Sequence, residues 1–261
     1  MIYQWIGSNF TWQEGQMEYW FLGLAALCMV IPYLLGSINP AIIISRLFYK
    51  DDIRQHGSGN AGSTNMLRTF GAKAAVFTFV SDMLKTVLSV LLGWLLIGGY
   101  GMSIAGFFAG FGHMFPIYYK FKGGKGVACY ATVALMISPL TFLCVVGVFI
   151  IVLIGSKMVS MASVMAALLY PLFMNAFAAG FPLAPAMAVV EACFVVFMHR
   201  ENLKRIWHYE ERKVDFSKLK LKKKKKTSPA ESTEEAINGD ADGKPEQPRD
   251  EEPKNGGNGN A

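Results

Sequence analysis

Apolar residues run in long blocks through this chain, and polar residues gather in a few short, glycine-rich interruptions. From Phe21 to Met198 the apolar blocks dominate. Several reach the roughly 18–20 residues that a helix needs to cross a bilayer. They predict helices over residues 17–38, 71–97, 103–119, 158–178 and 184–198, the first with a possible continuation after Pro40 to Phe48. The block 127–154 reads as one long helix or as two short ones divided before Pro139, because proline removes a backbone donor and biases the residue before it towards extended structure.

The placement of positive charge decides between these. Lysine and arginine concentrate on the cytoplasmic side of membrane proteins. Arg46, Lys50, Arg54, Arg68 and Lys73 surround the first polar interruption, Lys120, Lys122 and Lys125 the second, and Arg200, Lys204 and Arg205 follow the last helix. The turn Gly98-Gly99-Tyr100-Gly101 carries no charge. If the block 127–154 crosses twice, every one of these cations, with Lys157, falls on one side. The expectation is therefore an all-α, polytopic integral membrane protein with seven transmembrane helices, N-terminus outside and C-terminus cytoplasmic. Its residues 1–214 form the membrane domain.

Composition agrees. The 261 residues are 52% hydrophobic, and the mean hydropathy is +0.32. Residues 215–261 differ: they are rich in Lys, Glu, Pro, Gly and Asn, too polar to bury a core, and read as a disordered, charged cytoplasmic tail. Lys222–Lys226 is either a lipid-headgroup contact or a solvated linker that sets topology. The first twenty residues carry no Lys or Arg, unlike a cleaved secretory signal. Cys28, Cys129, Cys144 and Cys193 show no C-x-x-C spacing, and the four histidines no metal-ligand spacing, so no disulfide framework and no metal is expected.

Three polar stations then share one side. The first is the loop after Ser37, with Arg54 and Gly57-Ser58-Gly59-Asn60-Ala61-Gly62. Its glycines permit positive φ and close approach of backbone to a ligand, and Ser63, Thr64 or Asn65 offers a cap for a following helix. Alone, this loop reads equally as an anion site or as a turn. Its G-x-G-x-x-G spacing is not a dinucleotide fingerprint, since no strand precedes it and no βαβ unit follows. The second station, Lys120 to Gly126, departs from the phosphate-binding P-loop pattern and alone reads more readily as a positive-inside turn, though Gly123, Gly124 and Gly126 would let backbone and the Lys125 ammonium meet a phosphate together. In the third, His199 and Asn202 share a helical face, and Glu201 and Arg205 are spaced to pair. Within the second helix Asp82 and Lys85 are also i, i+3 partners, either functional or a packing ion pair. Glu191 has no evident partner in the sequence.

The motifs Gly36-Ser37-Ile38, D-I-R-x-x-G-S-G-N-x-G-S-T-N at 52–65, G-H-M-F-P with G-G-K-G-V-A at 112–128, and H-R-E-N at 199–202 together resemble those of the bacterial acyl-phosphate glycerol-3-phosphate acyltransferases. The resemblance runs from about residue 24 to 214. It departs in detail: Asn39 precedes Pro40, Ser63 and Cys129 stand where Ala and Thr are common, and Thr86 follows Lys85 where Gly is usual. The resemblance implies a seven-helix enzyme of the bacterial inner membrane with its active site facing the cytoplasm. It would transfer an acyl group from acyl phosphate to glycerol 3-phosphate, giving 1-acyl-glycerol 3-phosphate and phosphate. It implies no cofactor, and as partners the two substrates and membrane lipids rather than nucleic acid. Carried over position by position, it makes Ser37, Lys125, His199 and Asn202 catalytic. Arg54, Ser58, Asn60, Thr64, Asn65, Gly123, Gly124 and Gly126 would bind phosphate or substrate.

The residues suit that chemistry on their own terms. An acyl phosphate is already activated, so no enzyme nucleophile is required, only two anions held with a hydroxyl on a carbonyl carbon. Orientation of this kind is worth effective molarities of ~10⁵ M or more. His199 has a suitable ordinary pKa for a base, while a phosphate oxygen of the donor is the alternative acceptor, which the resemblance favours, leaving His199 to orient glycerol 3-phosphate. The rival class is a transporter of an organic phosphate. Transporters carry repeats and a midplane site, whereas this chain shows no repeat and its stations lie at one face.

Overall fold

In a computed structural model, the structure describes residues 1–9 and 15–214, and the described residues form helices and no strand. The tail 215–261, with Lys222–Lys226, lies outside the described residues. The elements follow the hydropathy blocks closely. A short helix, α1 (Ile2–Asn9), precedes α2 (Gln16–Ser37) and α3 (Pro40–Tyr49). Then come a single 3-10 turn at Ile53–Gln55, α4 (Ser63–Phe70) and α5 (Ala72–Met114), followed by another 3-10 turn at Ile117–Tyr119. The remainder is α6 (Val127–Ile137), α7 (Pro139–Ser156), α8 (Val159–Phe177), α9 (Ala184–Met198) and α10 (Arg200–Trp207).

Each break has a local cause. Between α2 and α3, Asn39 is extended and its side chain accepts from the Ile42 N–H, with Pro40 in the first helical position. Ser138 does the same for α7, accepting from Thr141 N–H ahead of Pro139. The long α5 is two arms, because Ile97 and Gly98 leave helical geometry and Gly98 takes φ 64°. On either side of this turn Gly93 and Gly101 lie backbone to backbone, and a Cβ on either would overlap the other's carbonyl. The same device joins α2 to the second arm of α5, where Gly36 lies on Ala109 and Gly112 on Tyr33. Small residues let helices approach without a hydrophobic drive between them.

Among the described residues, four apolar stretches are long enough to cross a membrane: Gln16–Tyr49, Ala72–Tyr119, Pro139–Ser156 and Val159–Phe177. Val127–Ile137 and Ala184–Met198 are apolar but shorter. α7 buries only Thr141 and presents Leu140, Leu143, Ile150, Ile151 and Ile154 outwards, as a lipid-facing helix does.

One expectation needs correction. The cap of α4 is Gly62 with no side-chain hydrogen bond, not Ser63, Thr64 or Asn65. Asn65 serves the loop instead. Its amide donates to the carbonyls of Ile53, His56 and Asn60 and its oxygen accepts from Ser58 N–H at 3.0 Å. Gly57 and Gly59 supply the positive φ values, 60° and 71°, that this closure requires.

Candidate active site

A cavity of about 560 Å³ opens among α4, α5, α6, α7, α8 and α9. One end is polar, lined by Ser58, Asn60, Thr64, Lys125, His199 and Asn202. The rest of the lining is largely apolar, with Phe142, Val145 and Phe149 of α7, Ala166 of α8 and Val195 of α9, and it also includes the buried Asp82, His113 and Glu191. Residues more than a hundred positions apart thus meet at one wall.

Lys125 reaches the cavity because Gly126 takes φ 78° and turns the chain into α6. Gly123 N–H donates to Met114 carbonyl and Gly124 N–H to His113 carbonyl, which pins the turn against the end of α5. A Cβ at Gly124 would overlap the His113 ring. The Lys125 ammonium donates to Asn202 Oδ1. Asn202 is oriented in turn by Glu211, whose Oε1 accepts from Asn202 Nδ2 at 2.7 Å and from Ser160 Oγ at 2.6 Å. Glu211 Oε2 accepts from Arg205 Nε at 2.8 Å. An amide whose nitrogen is held by a carboxylate must present its oxygen to the lysine.

Burial lowers the Lys125 pKa to about 8, the Glu211 carboxylate opposing that shift and Arg205 and Arg68 adding to it. kcat/KM reports the free enzyme, so a reaction needing the Lys125 cation will lose kcat/KM above about pH 8, with about a tenfold fall per pH unit. A pH-rate profile checks this, and a flat profile to pH 9.5 contradicts it.

His199 is 2% exposed, and its Nδ1 lies 2.8 Å from the Val195 carbonyl. A carbonyl only accepts, so Nδ1 carries the proton and Nε2 is the acceptor in the neutral ring. Burial, then the Lys125 charge, lowers its pKa to about 4. The ring is neutral near pH 7.

Of the expected site residues, the cavity wall gathers Ser58, Asn60, Thr64, Asn65, Lys125, Gly126, His199 and Asn202. Ser37, Arg54, Gly123 and Gly124 stand outside that wall. Ser37 is fully buried at the end of α2, its Oγ accepting from Ile117 N–H. The Arg54 guanidinium forks onto both oxygens of Asp52, at 3.0 and 2.7 Å, and donates to the Tyr119 carbonyl. It therefore fastens the first station to the second. Asp52, hydrogen-bonded by Arg54, is held far below the usual carboxylate range. Two further pairings emerge only in the fold. Arg205 pairs with Glu211 rather than with Glu201, which meets Lys204 and Arg200. Glu191 does have a partner, the Tyr170 hydroxyl. Glu211, Ser160 and His113 line the cavity without having been picked out as site residues. Asp82 also reaches it, and its ligand atoms cluster with those of His113 and Cys129, but the Lys85 ammonium sits 2.8 Å from Asp82 and already supplies a cation there.

The helical bundle and its apolar spans define a membrane protein, with a cavity in the bundle lined by both charged and apolar residues. The family model described as Glycerol-3-phosphate acyltransferase matches residues 26–209, and the chain belongs to that family. It is 41% identical over 191 residues to a Geobacillus kaustophilus glycerol-3-phosphate acyltransferase, covering 73% of this chain and 96% of the relative. The Bacillus subtilis glycerol-3-phosphate acyltransferase is 40% identical over 191 residues, with 73% and 98% covered. Two solved structures of PlsY, described as an integral membrane glycerol 3-phosphate acyltransferase, have similar folds. The glycerol 3-phosphate form superposes with a TM-score of 0.69 at 33% identity, covering 75% of this chain and 98% of the other. The form with lysophosphatidic acid gives 0.66 at 32% identity, covering 73% and 95%.

Proposed function

We propose that this protein acylates glycerol 3-phosphate to 1-acyl-glycerol 3-phosphate, with acyl phosphate as the donor and phosphate as the other product. The observation that carries the reading is one cavity whose wall brings Lys125, His199 and Asn202 together beside a largely apolar lining. The relatives' names support the acceptor. The donor rests on the motif resemblance and on the absence of any need for an enzyme nucleophile when the acyl group arrives activated.

In this reading the glycerol hydroxyl attacks the acyl carbon, phosphate leaves, and a phosphate oxygen of the donor takes the hydroxyl proton. Lys125 neutralises a phosphate, and Ser58, Asn60 and Thr64 receive phosphate or glycerol oxygens. Asn202 holds the Lys125 ammonium in place, and the neutral His199 orients the acceptor through Nε2. The acyl chain lies along Phe142, Val145 and Phe149. Asn65 closes the loop at the wall itself, and Ser37, Arg54, Gly123 and Gly124 shape this end of the cavity from behind the wall. No cofactor is required.

The topology proposed is seven crossings, from α2, the two arms of α5, and α6 to α9, with the N-terminus outside and the polar end of the cavity facing the cytoplasm of a bacterial inner membrane. The distribution of Lys and Arg supports it. Residues 1–214 would constitute the enzyme and 215–261 an appendage.

Purified protein given acyl phosphate and radiolabelled glycerol 3-phosphate should yield labelled lysophosphatidic acid, and acyl-CoA should not replace the donor. Uptake of label into vesicles without acyl product would favour the transporter instead. His199→Ala is expected to raise KM for glycerol 3-phosphate about tenfold or more, with a smaller loss in kcat, as removal of an orienting contact does. Loss of turnover with unchanged acceptor binding would make His199 the base.

A further inference from the structure

The most unusual polar group in the membrane part is the buried cluster of Asp82, Lys85 and His113, and the mechanism above does not use it. All three are nearly inaccessible, at 2%, 8% and 4% exposure. The Lys85 ammonium lies 2.8 Å from Asp82 Oδ1 and 3.0 Å from His113 Nδ1. It also donates to the carbonyls of Gly36 at 2.9 Å and Ile38 at 2.8 Å.

Those two carbonyls have a history in the backbone. In a continuous helix Gly36 would accept from the N–H of residue 40, but residue 40 is proline and has none. Ile38 would accept from Ile42 N–H, but that group is taken by the Asn39 side chain. The break that carries Ser37 therefore leaves two carbonyls without backbone donors inside the protein, where such groups are costly. One ammonium from the first arm of α5 satisfies both. Asp82 balances its charge, and Asp82 Oδ1 also lies 3.0 Å from His113 Nδ1 on the second arm. The His113 ring lies against Gly124, and its carbonyl accepts from Gly124 N–H.

We propose that Lys85, with Asp82 and His113, is a positioning group. It fixes the Ser37-bearing break and the Lys125-bearing turn relative to one another, so that the polar end of the cavity keeps its geometry. Its consequence for rate rests on the acyl-transfer reading, whereas its consequence for backbone order does not.

The test uses the full chain in detergent, with Lys85→Met, Asp82→Asn and Ser37→Ala. Kinetics with acyl phosphate and glycerol 3-phosphate are run beside amide hydrogen exchange at residues 36–39 and 123–126. Lys85→Met is expected to lower kcat about 10²-fold, the scale of a misplacement of about 1 Å, with KM for glycerol 3-phosphate changed by less than about threefold. Exchange should rise in both segments. Combining Lys85→Met with Ser37→Ala should cost less than the product of the single losses, because the two act through one arrangement. Asp82→Asn, which keeps the lysine and its shape, should lie between Lys85→Met and the unaltered protein, and it carries the test if Lys85→Met does not fold. Unaltered kcat and exchange in the folded variants, or losses that simply multiply, would overturn the proposal. Absence of acyl product from the unaltered protein would sink the acyl-transfer reading, and the exchange measurement would still decide the positioning role.

Discussion

Lys125→Met is expected to lower kcat/KM for acyl transfer by about three orders of magnitude. The side chain sits in a low-dielectric cavity, where a fixed positive charge is worth far more than in water. Burial has already pulled its pKa to about 8, a sign that the site tolerates the charge at a cost that a bound anion offsets. Removing one oriented neutral donor from an oxyanion site commonly costs about 10²–10³ in rate, and a cation facing the leaving phosphate stands at the upper end. Thermal unfolding should change little, because methionine removes a partly desolvated charge and leaves only Asn202 Oδ1 without a partner. Initial rates over a range of both substrates settle it, and a variant within tenfold of the parent would remove Lys125 from the chemistry.

The second large effect is expected at Glu211. Its two oxygens accept from Ser160, Asn202 and Arg205, and the residue is 8% exposed. Glu211→Ala leaves two buried neutral donors and a guanidinium without their acceptor, at about 3 kcal/mol of stability. It also frees Asn202 to rotate, so activity should fall in protein that is still folded. Glu211→Gln keeps the shape and one acceptor oxygen, and about 1 kcal/mol is expected. Thermal unfolding in micelles, paired with rates, measures both. The pH dependence has a definite sign. Burial alone would raise the Glu211 pKa, but the hydrogen bonds from Ser160, Asn202 and Arg205 outweigh it and the folded value is lowered. The stabilisation is therefore complete above the ordinary glutamate pKa of about 4.3 and fades as pH falls below it. In Glu211→Gln that acid-dependent component should be absent.

These two residues also mark how far the sequence could be read. Lys125 alone reads as easily as part of a positive-inside turn; what singled it out was its place on the same side as the other two polar stations and in the motif resemblance. The breaks at Pro40 and Pro139 were marked by proline, a local signal that survives in one dimension, whereas the caps on Asn39 and Ser138 came to light only in the fold. Glu211 gives no such signal. It lies among Glu210, Arg212 and Lys213, and only the folded chain selects it from its neighbours by bringing Ser160 against it. The i, i+4 spacing of Glu201 and Arg205 suggested a pair that the longer-range carboxylate captured. Asp82 and Lys85 were legible as a couple, but His113, 28 residues beyond Lys85, was not. Arg54 was read by its charge, and its neighbour Asp52 was available in the sequence to show that the charge was already engaged.

The proline that opens α3 reaches further than its own helix. By withholding one N–H at position 40, it creates a debt at the Gly36 carbonyl that a side chain 49 positions downstream of that glycine makes good. The tolerances of positions 40 and 85 are thereby tied. An alanine at 40 could straighten the chain and supply the missing hydrogen, and a neutral residue at 85 would then be easier to accommodate. Straightening would also carry Ser37 away from Ile117, so the bend and the lysine that mends it stand or fall as one inheritance.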